Sequence, residues 1–156
     1  MKVHVLERTQ VVARPRGEVF AFFADARNLE AITPAFLHFQ IAPPIPEAIR
    51  PGTLIEYRLS LFGVPFRWRT RIEAFEPATR FVDVQLRGPY RLWEHTHTFE
   101  DAPGGTRVGD RVRYALPLGP FGEAVHPIFV RRTLERIFDH RRDRIAELLG
   151  AAPRAA

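Results

Sequence analysis

Cysteine is absent from the 156 residues of this chain. Its absence excludes disulfide bridges and metal sites built from thiolates. No apolar run approaches the ~20 residues that a membrane-spanning helix needs, and charged residues interrupt the apolar positions at the N-terminus, so we expect no signal peptide. We therefore predict a cytoplasmic protein without a transmembrane segment.

The chain also lacks several motifs that mark common enzyme sites. It has no glycine-rich phosphate loop, and no serine nucleophile has a base close to it in sequence. We accordingly expect no cofactor. Repeats and interdomain linkers are missing as well, so we predict one domain over residues 1–150 and a disordered tail at 151–156.

Hydrophobic residues, in contrast, are plentiful at 46%, and 13 of the residues are phenylalanine. A chain of this size and composition can bury a substantial core, which excludes a disordered protein. The net charge is +5. A basic surface can attract nucleic acid, anionic lipid or an acidic ligand, but a solvated, arginine-rich exterior is the simpler interpretation.

The apolar spacing divides the chain into strands and helices. Alternation predicts a first strand at residues 3–12, and two short helices follow, one after Pro15 and one at 28–33 that ends before Pro34. Six further strands are predicted at 36–41, 53–62, 66–76, 81–87, 90–100 and 107–116. Helical spacing then predicts one long amphipathic helix at about 121–149.

This order of elements predicts an α+β helix-grip fold. A curved, seven-stranded antiparallel sheet would wrap around the long C-terminal helix, with the two short helices after strand 1. A single helix cannot fill the concave side of so wide a sheet, so we expect a cavity between them.

Three short loops predict the pairing of the strands and hence the side chains that face the cavity. They lie at residues 63–64, 88–89 and 102–105, and the second suits a type II′ turn. The predicted cross-strand pairs include Leu59 with Trp68, Val82 with His95, and His97 with Asp110. In this pairing Asp83 points outward, away from the cavity.

Four polar residues interrupt the apolar inner face: Arg91, His95, His97 and Asp110. A buried polar group without a partner costs about 1–3 kcal/mol, so these residues should pair with one another or with a ligand. The simplest pair is His97 with Asp110. In that pair the carboxylate would fix the tautomer of the imidazole and favour its protonation.

These residues also carry a family resemblance. The segment GPYRLWEHTHTF at 88–99, with GT at 105–106 and DRVRY at 110–114, resembles the ligand-binding SRPBCC proteins of the START/Bet v 1-like superfamily, which is related to polyketide cyclases and dehydrases. The opening PRGEVFAFF at 15–23 resembles the first helix of that superfamily. The resemblance implies the helix-grip fold and a cavity for a lipid-, polyketide- or quinone-like molecule.

We therefore predict a non-enzymatic binder or carrier of a small hydrophobic ligand. Its apolar body would contact Tyr57, Trp68, Trp93, Phe99, Tyr114, Phe129, Leu134 and Phe138. Its polar end would meet Arg91, His95, His97 and Asp110. It would enter between Phe20 and Phe23 of the first short helix, the loop at 43–46 and the long helix.

Alternatives remain open at this stage. An aromatase/cyclase-type enzyme could use His95, His97 and Asp110 to move a proton. His95, His97 and Asp110 could also bind a metal, but an ion pair explains them equally well, so we predict no metal site. The outer arginines, among them Arg69, could bind nucleic acid or protein, although acidic neighbours should neutralise them.

Two further points concern partners. Transient membrane contact is possible at the proline-rich rim formed by residues 43–51, because the apolar face of the long helix is needed inside the fold. The sequence gives no indication of the oligomeric state.

Overall fold

The structure is a computed structural model that describes residues 1–61 and 63–151. Its strands are β1 (His4–Val12), β2 (Gln40–Ala42), β3 (Leu54–Leu61), β4 (Val64–Glu76), β5 (Arg80–Arg87), β6 (Leu92–Ala102) and β7 (Gly105–Ala115). They form one curved antiparallel sheet in the order β1-β7-β6-β5-β4-β3-β2. The predicted helix-grip fold is confirmed.

The helices lie at the two predicted places in the chain. Helix α1 (Arg16–Phe23) follows β1 and leads into two 3₁₀ helices, Ala26–Ile32 and Ala35–Leu37. The C-terminal helix comprises α2 (Pro120–Val125), a π-helical segment (His126–Val130) and α3 (Arg131–Leu149). It is interrupted near Pro127, a residue type without the N–H that a regular helix requires.

Helix α3 closes the concave side of the sheet because its apolar residues form one stripe. Leu134, Phe138, Ile145 and Leu149 are its buried residues, and they recur at intervals close to the helical period. Leu134 and Phe138 pack in a cluster with both tryptophans, whereas Ile145 and Leu149 pack in a second cluster with α1.

In two of the three predicted hairpins, the side chains that were predicted to face the cavity side of the sheet do so. In the third hairpin the predicted pairing of His97 with Asp110 is confirmed. In the first, Leu59 pairs with Phe66 and not with Trp68, because β3 already ends at Leu61. The shift is two residues, so the same side chains still face inward.

In the second hairpin the strand register differs from the predicted one by one residue. The face of β5 that was predicted to point outward therefore points inward. Asp83 pairs with His95, where the sequence predicted Val82. The loop is wider than a two-residue turn, and the Gln85 side chain holds it by donating to the Tyr90 carbonyl at 2.7 Å and accepting from the Tyr90 amide at 3.2 Å. Asp83 consequently points inward, and its predicted outward orientation is wrong.

The outer face of the sheet carries arginines that are paired with acidic residues. Arg69 donates to Glu56 at 2.6 Å, and Arg113 lies 3.2 Å from Glu94. Exposed pairs of this kind contribute little stability but neutralise the surface.

The described chain ends in a contact with β1. Ala151 forms an isolated bridge with Val12, and the rest of the predicted tail, residues 152–156, lies outside the described residues. Among the described residues, no helix combines the length and the apolar character that crossing a membrane requires.

Candidate functional site

A cavity of about 160 Å³ lies between the concave face of the sheet and α3. Most of its wall is apolar. For comparison, an engineered cavity of roughly 150 Å³ accommodates benzene. The interior therefore has room for about one aromatic ring.

Eight of the predicted ligand-contacting residues line this cavity: Phe23, Tyr57, Trp68, Trp93, His95, His97, Leu134 and Phe138. They come from α1, from the strands β3, β4 and β6, and from α3. Trp68 and Trp93 meet edge to face, with 5.2 Å between their ring centroids. The sheet register thus brings together the aromatic residues that the sequence placed on one face.

Three predicted residues are buried beside the cavity without lining it. Phe20 and Phe99 pack against each other in the core below α1, with 5.1 Å between their ring centroids. Tyr114 directs its hydroxyl toward the C-terminal helix, where it lies 2.7 Å from Nε2 of His126. These three aromatic side chains fill space that the sequence assigned to the ligand.

Two predicted residues lie on the surface. Arg91 is exposed in the β5–β6 loop, since β6 begins only at Leu92. Phe129 is 52% exposed because the π-helical segment breaks the 3.6-residue spacing that the prediction used. Neither side chain lines the cavity, which corrects both predictions.

The polar end of the cavity is formed by two histidine–aspartate pairs. Asp83, His95 and His97 line the cavity, whereas Asp110, a predicted ligand contact, lies behind the imidazoles without lining it. Nε2 of His95 lies 2.7 Å from Oδ1 of Asp110, and Nε2 of His97 lies 2.7 Å from Oδ2 of Asp83. The two imidazoles stack with 3.7 Å between centroids. His97 lies beside Asp110 as predicted, with 3.5 Å between Nδ1 and Oδ1, but it forms its hydrogen bond with Asp83. Asp110 is hydrogen-bonded to His95 instead.

Burial controls the charge state of this group. Burial, with a smaller contribution from the neighbouring His95, lowers the pKa of His97 to about 4. The carboxylates of Asp83 and Asp110 raise this pKa, as predicted for a carboxylate partner, but burial outweighs them and His97 is neutral at neutral pH. Burial alone would raise the pKa of Asp110, but the Arg141 guanidinium and the His95 hydrogen bond outweigh it and lower that pKa.

Arg141 is a cavity residue that the sequence reasoning missed. Its Nη2 lies 3.8 Å from Oδ1 of Asp110, and its side chain is only 12% exposed. Its position gave a usable signal, since it follows Leu134 by seven residues and therefore lies on the apolar stripe of α3. The sequence reasoning also missed Asp83, because the length of the β5–β6 loop decides whether the Asp83 side chain points into the cavity or away from it.

A second polar group is centred on Thr70. The Trp68 indole donates to Oγ1 of Thr70 at 3.1 Å, and the Tyr57 hydroxyl lies 2.7 Å from the same oxygen. Burial raises the pKa of Tyr57, with a smaller contribution from Asp83, so the phenol stays neutral. These bonds hold two aromatic walls of the cavity in place.

This arrangement permits three kinds of chemistry. Asp83, His95 and His97 all face an apolar space, so they can bind the polar end of a ligand. The same groups can transfer a proton. Imidazole and carboxylate are also donors for transition metals.

The sequence was also compared with known proteins. Residues 3–150 match the profile of the family described as polyketide cyclase / dehydrase and lipid transport. No curated protein sequence matches the chain.

Several solved structures are similar in fold. A protein from Chromobacterium violaceum has a TM-score of 0.72 at 14% identity, over 94% of this chain and 96% of the other. A Mycobacterium smegmatis protein has a TM-score of 0.69 at 21% identity, over 96% of each chain. Major latex-like protein 151 from Panax ginseng has a TM-score of 0.67 at 12% identity, over 94% and 97%. At these identities the likeness concerns the fold.

Proposed function

The chain belongs to the polyketide cyclase/dehydrase and lipid transport family, and on that premise we propose that it binds or carries a small hydrophobic or amphipathic molecule. One observation carries the proposal: an apolar cavity of about 160 Å³ has its imidazole and carboxylate groups clustered at one place in its wall. Typical ligand sites combine apolar walls with a few polar groups that orient the ligand. A lipid-, polyketide- or quinone-like compound has this chemistry.

The size of the cavity limits what can be enclosed. A segment about as large as one ring would lie against Trp68, Trp93 and Phe138, with its polar end at Asp83 and His97. Longer parts of the molecule would extend toward solvent. Leu29, in the 3₁₀ helix Ala26–Ile32, and Ile137, on α3, line the cavity but are only half buried, which supports an entrance between these helices.

Tryptophan fluorescence gives a direct test, because both tryptophans of the chain line the cavity. Native mass spectrometry of protein purified from its own host should reveal a co-purified compound, and its removal should change the emission spectrum. Protein that carries no compound, and whose emission stays constant when amphipathic compounds such as octanol are added, would contradict the proposal.

A cavity-filling variant makes the test specific. Leu134→Phe should place extra carbon atoms in the cavity and weaken ligand binding at least about tenfold, with little loss of stability because the space already exists. Leu148→Phe is the matched control, since Leu148 lies on the same helix and is 40% exposed. Equal binding by wild type and both variants would locate the ligand elsewhere.

A second candidate function is supported by the two histidine–aspartate bonds at 2.7 Å. An aromatase/cyclase-type enzyme would use such a pair as general base and acid on a ligand in the cavity. His97→Ala distinguishes the two functions. A carrier would lose some affinity, whereas an enzyme would lose turnover and retain most of its binding.

The expected location and partners remain predictions. Cytoplasmic localisation can be tested by cell fractionation. Binding to nucleic acid is not expected, and salt-sensitive DNA binding that disappears in Arg69→Glu would contradict that expectation.

A further inference from the structure

We propose that Asp83, His95 and His97 form a binding site for a divalent transition-metal ion such as Zn²⁺ at the polar end of the cavity. One ligand atom from each residue lies within 4.8 Å of the others. Two imidazoles and one carboxylate form a donor set typical of zinc and iron sites with an open coordination position. The proposal does not depend on the hydrophobic ligand.

The spacing of the ligand atoms suits a tetrahedral ion. With bonds of about 2.0–2.1 Å, two ligands of such an ion lie about 3.3 Å apart. Oδ2 of Asp83 is 2.7 Å from Nε2 of His97 and 4.0 Å from Nδ1 of His95. One of these distances is shorter and the other longer than the required value, and the two imidazole nitrogens lie within 4.8 Å of each other. Binding an ion therefore requires the stacked imidazoles and Asp83 to rotate toward a common point.

A metal would also resolve the hydrogen bonding of His97. To donate to Asp83, a neutral His97 must carry its proton on Nε2. Its Nδ1 then has only a lone pair, which lies buried without a hydrogen-bond partner, 3.5 Å from Oδ1 of Asp110. With a metal on Nε2, the proton moves to Nδ1 and points toward Asp110.

His95 already has the orientation of a metal ligand. Its Nε2 lies 2.7 Å from Oδ1 of Asp110, and its Nδ1 lies 4.0 Å from Oδ2 of Asp83. With the proton on Nε2 donated to Asp110, Nδ1 has a lone pair available for a metal. Metal-bound histidines usually donate their second N–H to a carboxylate in this way. Asp110 would serve both imidazoles, with Arg141 3.8 Å behind it.

The charges favour a cation and indicate what would bind to it. Asp83 and Asp110 contribute two negative charges and Arg141 one positive charge. Arg8, the register neighbour of Asp110 on β1, is paired with Asp139 at 3.3 Å. A divalent ion would leave one positive charge, so its open position toward the cavity would accept an anionic oxygen donor such as a carboxylate, a phenolate or hydroxide.

The proposed site has a different third ligand from the metal site that the sequence suggested as an alternative. The expectation of no metal rested on a His97–Asp110 pair, with Asp110 as the possible third ligand. The structure separates these roles: Asp83 faces both imidazoles from β5, and Asp110 supports them from β7.

Calorimetric titration of the chelator-treated full chain with Zn²⁺ tests the proposal. We expect one ion per chain, and affinity reduced by more than about 100-fold in Asp83→Asn and in His95→Ala. His4→Ala is the control, because His4 forms the imidazole–carboxylate pair with Glu123 at 2.8 Å outside the cavity. Loss of binding in His4→Ala alone, or none in wild type, would overturn the proposal.

A second measurement keeps the test decisive if these variants unfold. The chain contains six histidines, so ¹⁵N-histidine labelling of the wild type resolves each imidazole. Zn²⁺ should shift the ring nitrogens of His95 and His97 and leave the other four unchanged. Shifts confined to the other histidines would show an adventitious ion only. Neither result bears on whether the cavity binds a hydrophobic molecule.

Discussion

At the scale of single residues, Thr70 holds two aromatic side chains through one hydroxyl group. We expect Thr70→Val to destabilise the protein by about 1–3 kcal/mol, because the Trp68 indole N–H then loses its acceptor in the interior. Thr70→Ser keeps the hydroxyl and should cost less than Thr70→Val. Urea unfolding followed by tryptophan fluorescence measures both. Equal stability of the two variants would show that the hydroxyl is unimportant.

Arg141 and its neighbour Arg142 provide a matched pair of substitutions. Arg141→Met leaves the buried Asp110 without its cation, and we expect a loss of about 3 kcal/mol, the lower end of the range for breaking a buried ion pair. Arg142 is half exposed and pairs only with surface carboxylates, so Arg142→Met should change stability by less than about 0.5 kcal/mol.

The free energy of unfolding of both methionine variants can be obtained from denaturant titration. Similar losses in the two would mean that Arg141 does not compensate a buried charge.

At the scale of elements, two glycines should respond to alanine in opposite directions. A Cβ on Gly105 would lie 1.8 Å from the carbonyl oxygen of Val12, so Gly105→Ala should push β1 away and cost about 1–3 kcal/mol. Gly17, in α1, has nothing within 4 Å of its added Cβ. Gly17→Ala should therefore stabilise the protein by up to about 1 kcal/mol.

Thermal unfolding of the two alanine variants checks both signs. A stabilised Gly105→Ala would contradict the close approach of β1 at this hairpin.

The elements also show why sequence reasoning reached the fold but only part of the site. Apolar periodicity is repeated along every strand and along α3, so one local error does not change the predicted architecture. Which face of β5 points inward depends on a single loop, the β5–β6 loop. The Gln85 side chain holds this loop in a wide conformation through hydrogen bonds to the Tyr90 backbone. A slip of one residue there turned Asp83 from the outer face into the cavity.

In the C-terminal helix, too, prediction succeeded where the spacing is regular and failed where it is not. Leu134 and Phe138 follow the regular helical spacing, and both line the cavity as predicted. Phe129 precedes them across the π-helical segment, where counting by 3.6 fails. Positions supported by a repeated pattern were predictable, and positions beyond an irregular turn were not.

At the scale of the whole molecule, the wide sheet and the single helix do leave a cavity, as expected, but its size is reduced. Typical sites for drug-sized ligands measure about 300–1,000 Å³, whereas this one has about 160 Å³. Phe20, Phe99 and Tyr114, which the sequence assigned to the ligand, pack into the core instead. The cavity suits a ring-sized group more than a whole sterol.

We expect bound Zn²⁺ to change which of two ligands, octanol or octanoate, binds more tightly in the cavity. This prediction rests on both the proposed ligand binding and the proposed metal site. With His97 neutral and no metal, the carboxylates of Asp83 and Asp110 at least balance the cations at the polar end, so octanol should bind more tightly than octanoate. Bound Zn²⁺ gives the polar end a net positive charge, and octanoate should then gain about tenfold in affinity. Tryptophan fluorescence can measure each affinity with and without Zn²⁺.

Thermodynamic linkage makes this prediction stricter. The factor by which Zn²⁺ tightens octanoate binding must equal the factor by which octanoate tightens Zn²⁺ binding, because both describe the same coupling free energy. Calorimetry of Zn²⁺ binding at saturating octanoate supplies the second factor. In Asp83→Asn, Zn²⁺ should leave the affinities for both ligands unchanged. If octanoate and Zn²⁺ bind to the wild type with no mutual effect, the ion and the ligand do not meet at the polar end of the cavity.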